Sequence, residues 1–490
     1  MSSISRRHML QLTGAASLAS TFPSRAETLT SDWSEDVAIL RRVWETMHPG
    51  LHRYNNPLQA SGRLDQLAAA WRAPSTFSER FRALSLVTAS VRCGHTYPSP
   101  YNSSAETVRR LYPSRTLVPF LFRWTTSGMT VIEDNSAEEV FPRGAVINAI
   151  NDVPTRRLIA ELVPMARADG GNDAKRVNLM EVRGQARYET FDIHLPLILD
   201  LNDRARFTLG SGETVEAGLL TLPERQARRD QAAPPAADAN PWHHEVDAEG
   251  VHRLVMPSWA LFNATFPWET WLSGFMDELS ATRARGLIVD LRGNEGGNDC
   301  GNVILSRLIE RDLALSNTQR WTRYRSAPQD VRPYLDTWDK SFLDWGESAQ
   351  PSTERPGFYR LTRYDDGADS ALIKPAGRRF AGPVVVLCDA SNSSATFQFA
   401  QAVQGAGLGT LVGEPTGGNR RGINGGAFFF LRLPASGLEV DLPLIAYFPT
   451  TPQPDAPVLP DNRVVAAAED IANGLDPQLV AARDYILRAR

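Results

Sequence analysis

The sequence predicts a multidomain α/β plus β protein: an N-terminal helical region, a small β-rich module and an α/β core built on a mixed sheet. Three observations predict it. The chain has 490 residues, more than one hydrophobic core ordinarily holds, so two to four domains are expected. Apolar residues recur at helical spacing before about residue 100, then fall into short strand-like runs after about Arg115. Beyond residue 242, apolar runs of strand length alternate with helical segments, the pattern of an α/β sheet covered by helices.

The chain begins with Ser5-Arg6-Arg7-His8-Met9-Leu10, a mild apolar region over 12–18, and Ser24-Arg25-Ala26. This is the pattern of a bacterial twin-arginine export signal over 1–26, which would put the mature protein in the periplasm or outside the cell, exported already folded. No later stretch is long and apolar enough to span a bilayer. The formal net charge of −4 supplies no electrostatic reason to expect nucleic acid or an anionic membrane as partner. Cys93, Cys300 and Cys388 make no disulfide framework and have no metal-ligand spacing, so neither metal nor cofactor is expected.

Residues 27–111 read as helical. Val37, Leu40, Val43 and Met47 share a face until His48-Pro49-Gly50; Leu64, Leu67 and Trp71 mark a second helix; Phe77 to Val91, capped by Ser75, a third. That helix ends in Gly94-His95-Thr96. Residues 112–222 read as the β-rich module, with strands over 117–122, 129–132 and 144–152 and a short helix over Thr155–Leu162. The Ala/Pro-rich, charged stretch 223–241 reads as a linker. In the core, 242–490, strands are expected over 252–256 and 286–292 and helices over Trp268–Arg283 and Cys300–Leu313. Residues 316–380 read as a long insertion. Ala427–Leu433 and Leu438–Phe448 read as a hairpin, and Asp476 with Pro477 opens a last helix.

Chemistry is concentrated between Gly382 and Gly426. An apolar strand over 383–388 runs into the polar turn Asp389-Ala390-Ser391-Asn392-Ser393-Ser394, then a helix, a second strand over 410–412 and the loop Gly413-Glu414-Pro415-Thr416-Gly417-Gly418-Asn419. A hydroxyl at a strand-to-helix turn sits beside unpaired helix-start N–H groups, which suits a nucleophile and its oxyanion. Each of Ser391, Asn392, Ser393 and Ser394 is equally a good helix cap. A second glycine turn, Gly293 to Gly297, also follows a buried strand. Neither turn has the Gly-Lys-Ser/Thr ending of a phosphate loop.

Asp290-Leu291-Arg292-Gly293-Asn294-Glu295-Gly296-Gly297, then Ser394-Ala395-Thr396, then Gly413-Glu414-Pro415-Thr416-Gly417-Gly418, resembles the C-terminal-processing (tail-specific) serine peptidases and the related tricorn-core peptidases. Gly94-His95-Thr96 resembles that family's Asp-Gly-His-Thr segment, and 112–222 resembles its degenerate PDZ-type module. The resemblance implies a ClpP/crotonase-like spiral core and a peptide or protein substrate. It implies Ser394 as nucleophile and oxyanion donors from the backbone of Ala395 and of Gly296 or Gly297. The Ser–Lys members carry a lysine where this chain has Asn419, which has no amine to act as base. The tricorn-like branch uses a histidine, so His95 is the expected general base, with Asp455 as its acidic partner and Glu414 as a weaker rival.

Other readings stand beside this one. A chain that keeps the fold but lacks turnover would hold peptides or lipids. An esterase of the α/β-hydrolase kind would need a Gly-x-Ser-x-Gly elbow, absent around Ser394. Asp290 and Arg292 read as a structural ion pair. His243-His244-Glu245 reads as a solvated cluster, because adjacent side chains on a strand point to opposite faces. Trp321, Tyr324, Tyr334, Trp338 and Trp345 either line a substrate groove or pack onto the core.

Overall fold

The computed structural model describes residues 28–232, 240–315, 318–365 and 372–489. The twin-arginine segment lies outside them. Among the described residues no helix is long and apolar enough to cross a membrane.

Three helices open the described chain, Ser34–Met47, Pro57–Arg72 and Phe77–Ser90. Asn56 caps the second in a reciprocal box with Gln59, and Pro57 occupies the first helical position. Thr76 caps the third, not Ser75: Thr76 and Glu79 form the box, while Ser75 turns to Arg80. Leu40, Val43, Trp44, Leu64, Trp71 and Leu84 are buried, and Trp33 meets Trp71 edge-on at 5.5 Å. The third helix ends where Arg92 takes a positive φ, and the chain turns into Cys93-Gly94-His95.

These helices share one core with an antiparallel sheet formed later in the chain. Strand Ile423–Arg432 pairs with Glu439–Pro449, which pairs with Thr318–Thr322; Leu335–Asp336 adds to the other edge of Ile423–Arg432. The stretch 316–380, read as a long insertion, contributes strands to this sheet through its described residues. Trp321, Tyr324 and Trp345 are buried there, which decides three of the five aromatics in favour of packing.

The middle module is an antiparallel sheet of Phe120–Thr125, Gly128–Asp134, Val146–Ile150, Arg204–Leu209 and Thr214–Gly218, with the helix Thr155–Leu162 where periodicity predicts it. Phe120, Phe141 and Phe207 meet within it, Phe141 and Phe207 edge-on at 5.0 Å. The predicted linker begins differently: Leu222–Ala232 is a helix, started by the reciprocal Thr221–Glu224 box, and 233–239 lie outside the described residues.

In the core, parallel strands Val251–Val255, Gly286–Asp290, Val384–Cys388, Thr410–Gly413 and Asn462–Arg463 are joined at one edge by antiparallel His243–Val246. Side chains from Trp268–Ala281, Gly301–Ser306 and Ser394–Gly405 pack on one face, and Ala482 and Ile486 of Pro477–Arg488 on the other. Burial on both faces explains the unbroken apolar runs. The helix expected over Cys300–Leu313 is short, Gly301–Ser306. Asp290 and Arg292 form the expected ion pair at 2.7 Å, and Arg292 also grips Asp476, the cap of the last helix, at 2.8 Å. His244 turns to His252 of the neighbouring strand at 2.9 Å, and His243 stays exposed. No group of three or more potential metal ligands gathers among the described residues.

Candidate active site

Val384–Cys388 ends at the carboxyl edge of the parallel strands, where the turn 389–393 is held from three sides. Asn392 accepts from the Asp389 N–H at 2.8 Å and donates to the carbonyls of Leu291 and Asn294. Its own carbonyl receives the Gly417 N–H at 2.7 Å. Both glycine turns and the serine turn are therefore tied through one residue, by its side-chain amide and its backbone carbonyl. Ser391 Oγ meets Asn178 and Arg183, and Ser393 Oγ donates to the Glu295 and Ser391 carbonyls. Of the four cap-like residues, three are spent on the turn. Ser394 Oγ makes no hydrogen bond within the described residues, and Ser394 is half-buried at the start of the helix with φ of 53°. A non-glycine residue in the left-handed region is held there at a cost of about 1–2 kcal/mol.

The Gly293–Gly297 turn packs backbone to backbone against Ser394. A Cβ on Gly296 would lie 2.7 Å from the Ser393 carbonyl oxygen and 3.0 Å from both Ala395 N and Ser394 Cβ, and φ there is 95°. Only glycine allows this approach. The Gly296 N–H is spent on Asn294 Oδ1 at 2.9 Å. The Gly297 and Ala395 N–H groups donate to no other group among the described residues.

His95 arrives from the N-terminal region along a well-anchored loop. The Gly94 N–H donates to Asp169 Oδ1 at 2.9 Å. Thr96 Oγ1 lies 2.8 Å from buried His48 Nε2; because Gly50 N–H donates to His48 Nδ1, the proton of neutral His48 sits on Nε2 and is donated to Thr96. Residues 97–99 then run beside the strand Glu439–Pro449, with Asp441 N donating to Tyr97 O and Ser99 N to Glu439 O. The imidazole rests on Gly425, where a Cβ would lie 3.8 Å from Cε1, and its ring is 5.5 Å from that of Phe428. Its Nδ1 is buried and has no hydrogen-bond partner among the described residues. The surrounding protein and the charge of Arg167 push its pKa down to about 4, Lys175 acts the same way, and Glu295 opposes them. The ring is thus neutral at pH 7 and free to accept a proton.

The middle module contributes residues that sequence reasoning missed. Lys175, almost wholly buried, places Nζ 2.6 Å from Glu295 Oε1 and 3.3 Å from the Ser391 carbonyl. Glu295 is half-exposed; the surrounding protein still strips some of its water, and against that Lys175 and Arg167 hold its carboxyl down to about 2. Asn172 donates to the carbonyls of Thr416 and Gly418, both at 2.8 Å. Asp169 is buried, which raises its carboxyl to about 6. The one signal in the sequence is the polar, glycine-bearing run Asp169-Gly170-Gly171-Asn172-Asp173, which breaks the helical segments on either side of it.

Asp455 is not brought to His95. Its Oδ1 accepts from Asn419 Nδ2 at 2.6 Å and from the Gly171 N–H at 2.8 Å, and no hydrogen bond or ion pair joins it to the imidazole. Asn419, in the place of the expected lysine, thus ties the glycine loop to Asp455. Glu414 meets Arg123 at 2.8 Å and Gln478 at 3.3 Å and fixes the loop. The carboxylate whose charge bears on His95 is Glu295.

With this geometry in hand, residues 254–448 match the family model described as peptidase family S41. The matched span holds the Gly296 turn and Ser394; His95 and Asp455 lie outside it. The structure of mature CPAF complexed with lactacystin is similar over 93% of this chain and 97% of its own, at 13% identity and a TM-score of 0.60. Mature CPAF alone shows 14% identity over 93% and 96%, with a TM-score of 0.58. At such identity the likeness is one of fold. The photosystem II D1 C-terminal processing protease is a weaker likeness, 14% identical over 90% of this chain and 94% of its own, with a TM-score of 0.41. No curated protein matches the sequence. The chain is a serine-type peptidase. More particularly, residues 254–448 carry a domain of peptidase family S41.

Proposed function

We propose that the chain is an exported endopeptidase of the tricorn-like, histidine-base branch, which cleaves peptide bonds through an acyl-enzyme on Ser394. The observation that carries the proposal is the strained, half-buried Ser394, its hydroxyl unspent, with Gly296 packed against its backbone. Export rests on the Arg6-Arg7 pattern alone.

In the first step Ser394 Oγ bonds to the scissile carbonyl carbon while neutral His95 takes the hydroxyl proton. The carbonyl π pair moves to oxygen, where the N–H groups of Gly297 and Ala395 receive it. Glu295 lowers the cost of the imidazolium. The C–N bond then breaks as His95 gives its proton to the leaving amine. Water repeats the sequence against the ester: His95 removes its proton, the acid leaves and Ser394 regains its hydrogen. In this reading Asp455 serves through Asn419, holding the glycine loop and Gly171 in place, and the middle module is a degenerate PDZ-like unit.

A fluorophosphonate probe tests the assignment: it should label the wild type and fail on Ser394→Ala. Labelling that persists in Ser394→Ala would overturn it. One observation favours a second reading, a non-catalytic peptide- or lipid-binding protein: no carboxylate receives His95 Nδ1. Equal capture of peptide by wild type and Ser394→Ala, with no labelling and no turnover, would select it.

A further inference from the structure

We propose that Trp338, Phe428 and Phe430 form an apolar shelf that binds an aromatic or large aliphatic side chain of the peptide substrate, on the leaving-group side of the scissile bond. The orientation rests on the serine-peptidase reading above; the shelf itself is argued from geometry.

Trp338 behaves unlike its neighbours. Trp321, Tyr324 and Trp345 are buried, whereas Trp338 is 56% exposed. Its ring stands 5.9 Å from those of both Phe428 and Phe430. Those two share one face of the strand Ile423–Arg432, because Ala427, Phe429 and Leu431 between and beside them point into the N-terminal core with no exposure. Phe428 and Phe430 are half-buried, so three aromatic rings meet at the surface as one patch. The ion pair Arg432–Asp336 borders it: Asp336 is the cross-strand partner of Phe430, and the two charges lie 2.6 Å apart. An apolar patch with a polar rim is the composition of a binding surface, and a packed aromatic would ordinarily be covered.

The shelf is continuous with His95. Phe428 is 5.5 Å from the imidazole, and the two residues before Ala427 on the same strand are Gly425 and Gly426, which raise no side chain between ring and shelf. Gly426 is exposed with φ of 73°, and the pairing register shifts between Gly425 and Phe428, turning the strand where it passes the histidine. In the proposed reaction the carbonyl oxygen faces Gly297 and Ala395, and His95 faces the nitrogen it protonates. A surface that begins at His95 therefore carries residues on the amine side of the bond.

The test uses full-length enzyme, internally quenched peptides varied at the first three positions after the cut, and Trp338→Ala, with circular dichroism to confirm folding. The wild type should prefer Phe, Trp, Tyr, Leu or Met at one of those positions. In Trp338→Ala the ratio of kcat/KM for that peptide over its glycine counterpart should fall about tenfold, chiefly through KM, and Trp338→Phe should restore most of it. In parallel, uncut peptide is titrated onto Ser394→Ala and onto Ser394→Ala with Trp338→Ala; binding should weaken by a similar factor in the double variant. Weakened binding with no cleavage by the wild type would support the shelf and overturn the catalytic reading alone. Unchanged selectivity and unchanged binding in the Trp338→Ala variants would overturn the shelf, and a preference confined to positions before the cut would overturn its orientation.

Discussion

Lys175 Nζ lies 2.6 Å from Glu295 Oε1, and the two residues come from different modules: Lys175 from the middle one, Glu295 from the core turn that packs against Ser394. The same ammonium reaches the carbonyl of Ser391 at 3.3 Å. One side chain thus bridges the Gly293–Gly297 turn and the turn over 389–393. The partners are unequally buried, Lys175 at 3% exposure and Glu295 at 51%.

That inequality predicts unequal costs. Glu295→Gln leaves a buried ammonium without its counter-charge and should cost about 3 kcal/mol of stability. Lys175→Met leaves a carboxylate that water can reach, and should cost about 1 kcal/mol. Urea denaturation of the two variants measures the difference; equal losses would refute the asymmetry.

The acid limb of activity follows from His95. With His95 as the proposed general base the free imidazole is the working form, so kcat/KM should fall as pH drops through about 4, not near the ordinary 6.5. Removing the positive charge of Lys175 favours the imidazolium, so Lys175→Met should move that limb upward. A pH profile of peptide cleavage reads both; an unmoved limb in Lys175→Met would show that its charge does not act on the histidine.

Backbone strain at Ser394 separates two inactive variants. Ser394→Gly relieves the left-handed conformation and should raise stability by about 1 kcal/mol, whereas Ser394→Ala keeps the strain and should not. Thermal melts of the pair give the answer, and neither should react with the probe.

Gly296→Ala places a methyl group 2.7 Å from the Ser393 carbonyl oxygen and strains a φ of 95°. The turn must retreat from Ser394, and the Gly297 N–H with it. A loss of at least about a hundredfold in kcat is expected, the scale of losing one oxyanion donor, with KM little changed.

Buried Asp169 has a carboxyl raised to about 6 by burial. A raised folded pKa means that the native state holds the proton better than the unfolded chain, so this group's contribution is full below pH 4 and is lost as pH rises through about 6. Asp169→Asn removes that loss and keeps an acceptor for the Gly94 N–H. It should stabilise the protein by about 1–3 kcal/mol at pH 7.5 relative to its effect at pH 4, as chemical denaturation at the two pH values would show.

Local chemistry was legible in the sequence: the three N-terminal helices, the helix Thr155–Leu162, the parallel strands of the core, the last helix opened by Asp476 and Pro477, and both glycine turns. Each is written in neighbouring residues, through periodicity, capping and turn preference. Folding alone decided which hydroxyl is unspent: Ser391, Asn392 and Ser393 are consumed by partners that include residues from 98 to 213 positions away, and Ser394 is left. It also decided that 316–380 contributes strands to a sheet, that Leu222–Ala232 is helical, that Asp455 serves Asn419, and that Lys175 and Asp169 enter the site. These last depend on contacts between modules, and no local pattern encodes a charge whose partner is 120 residues away.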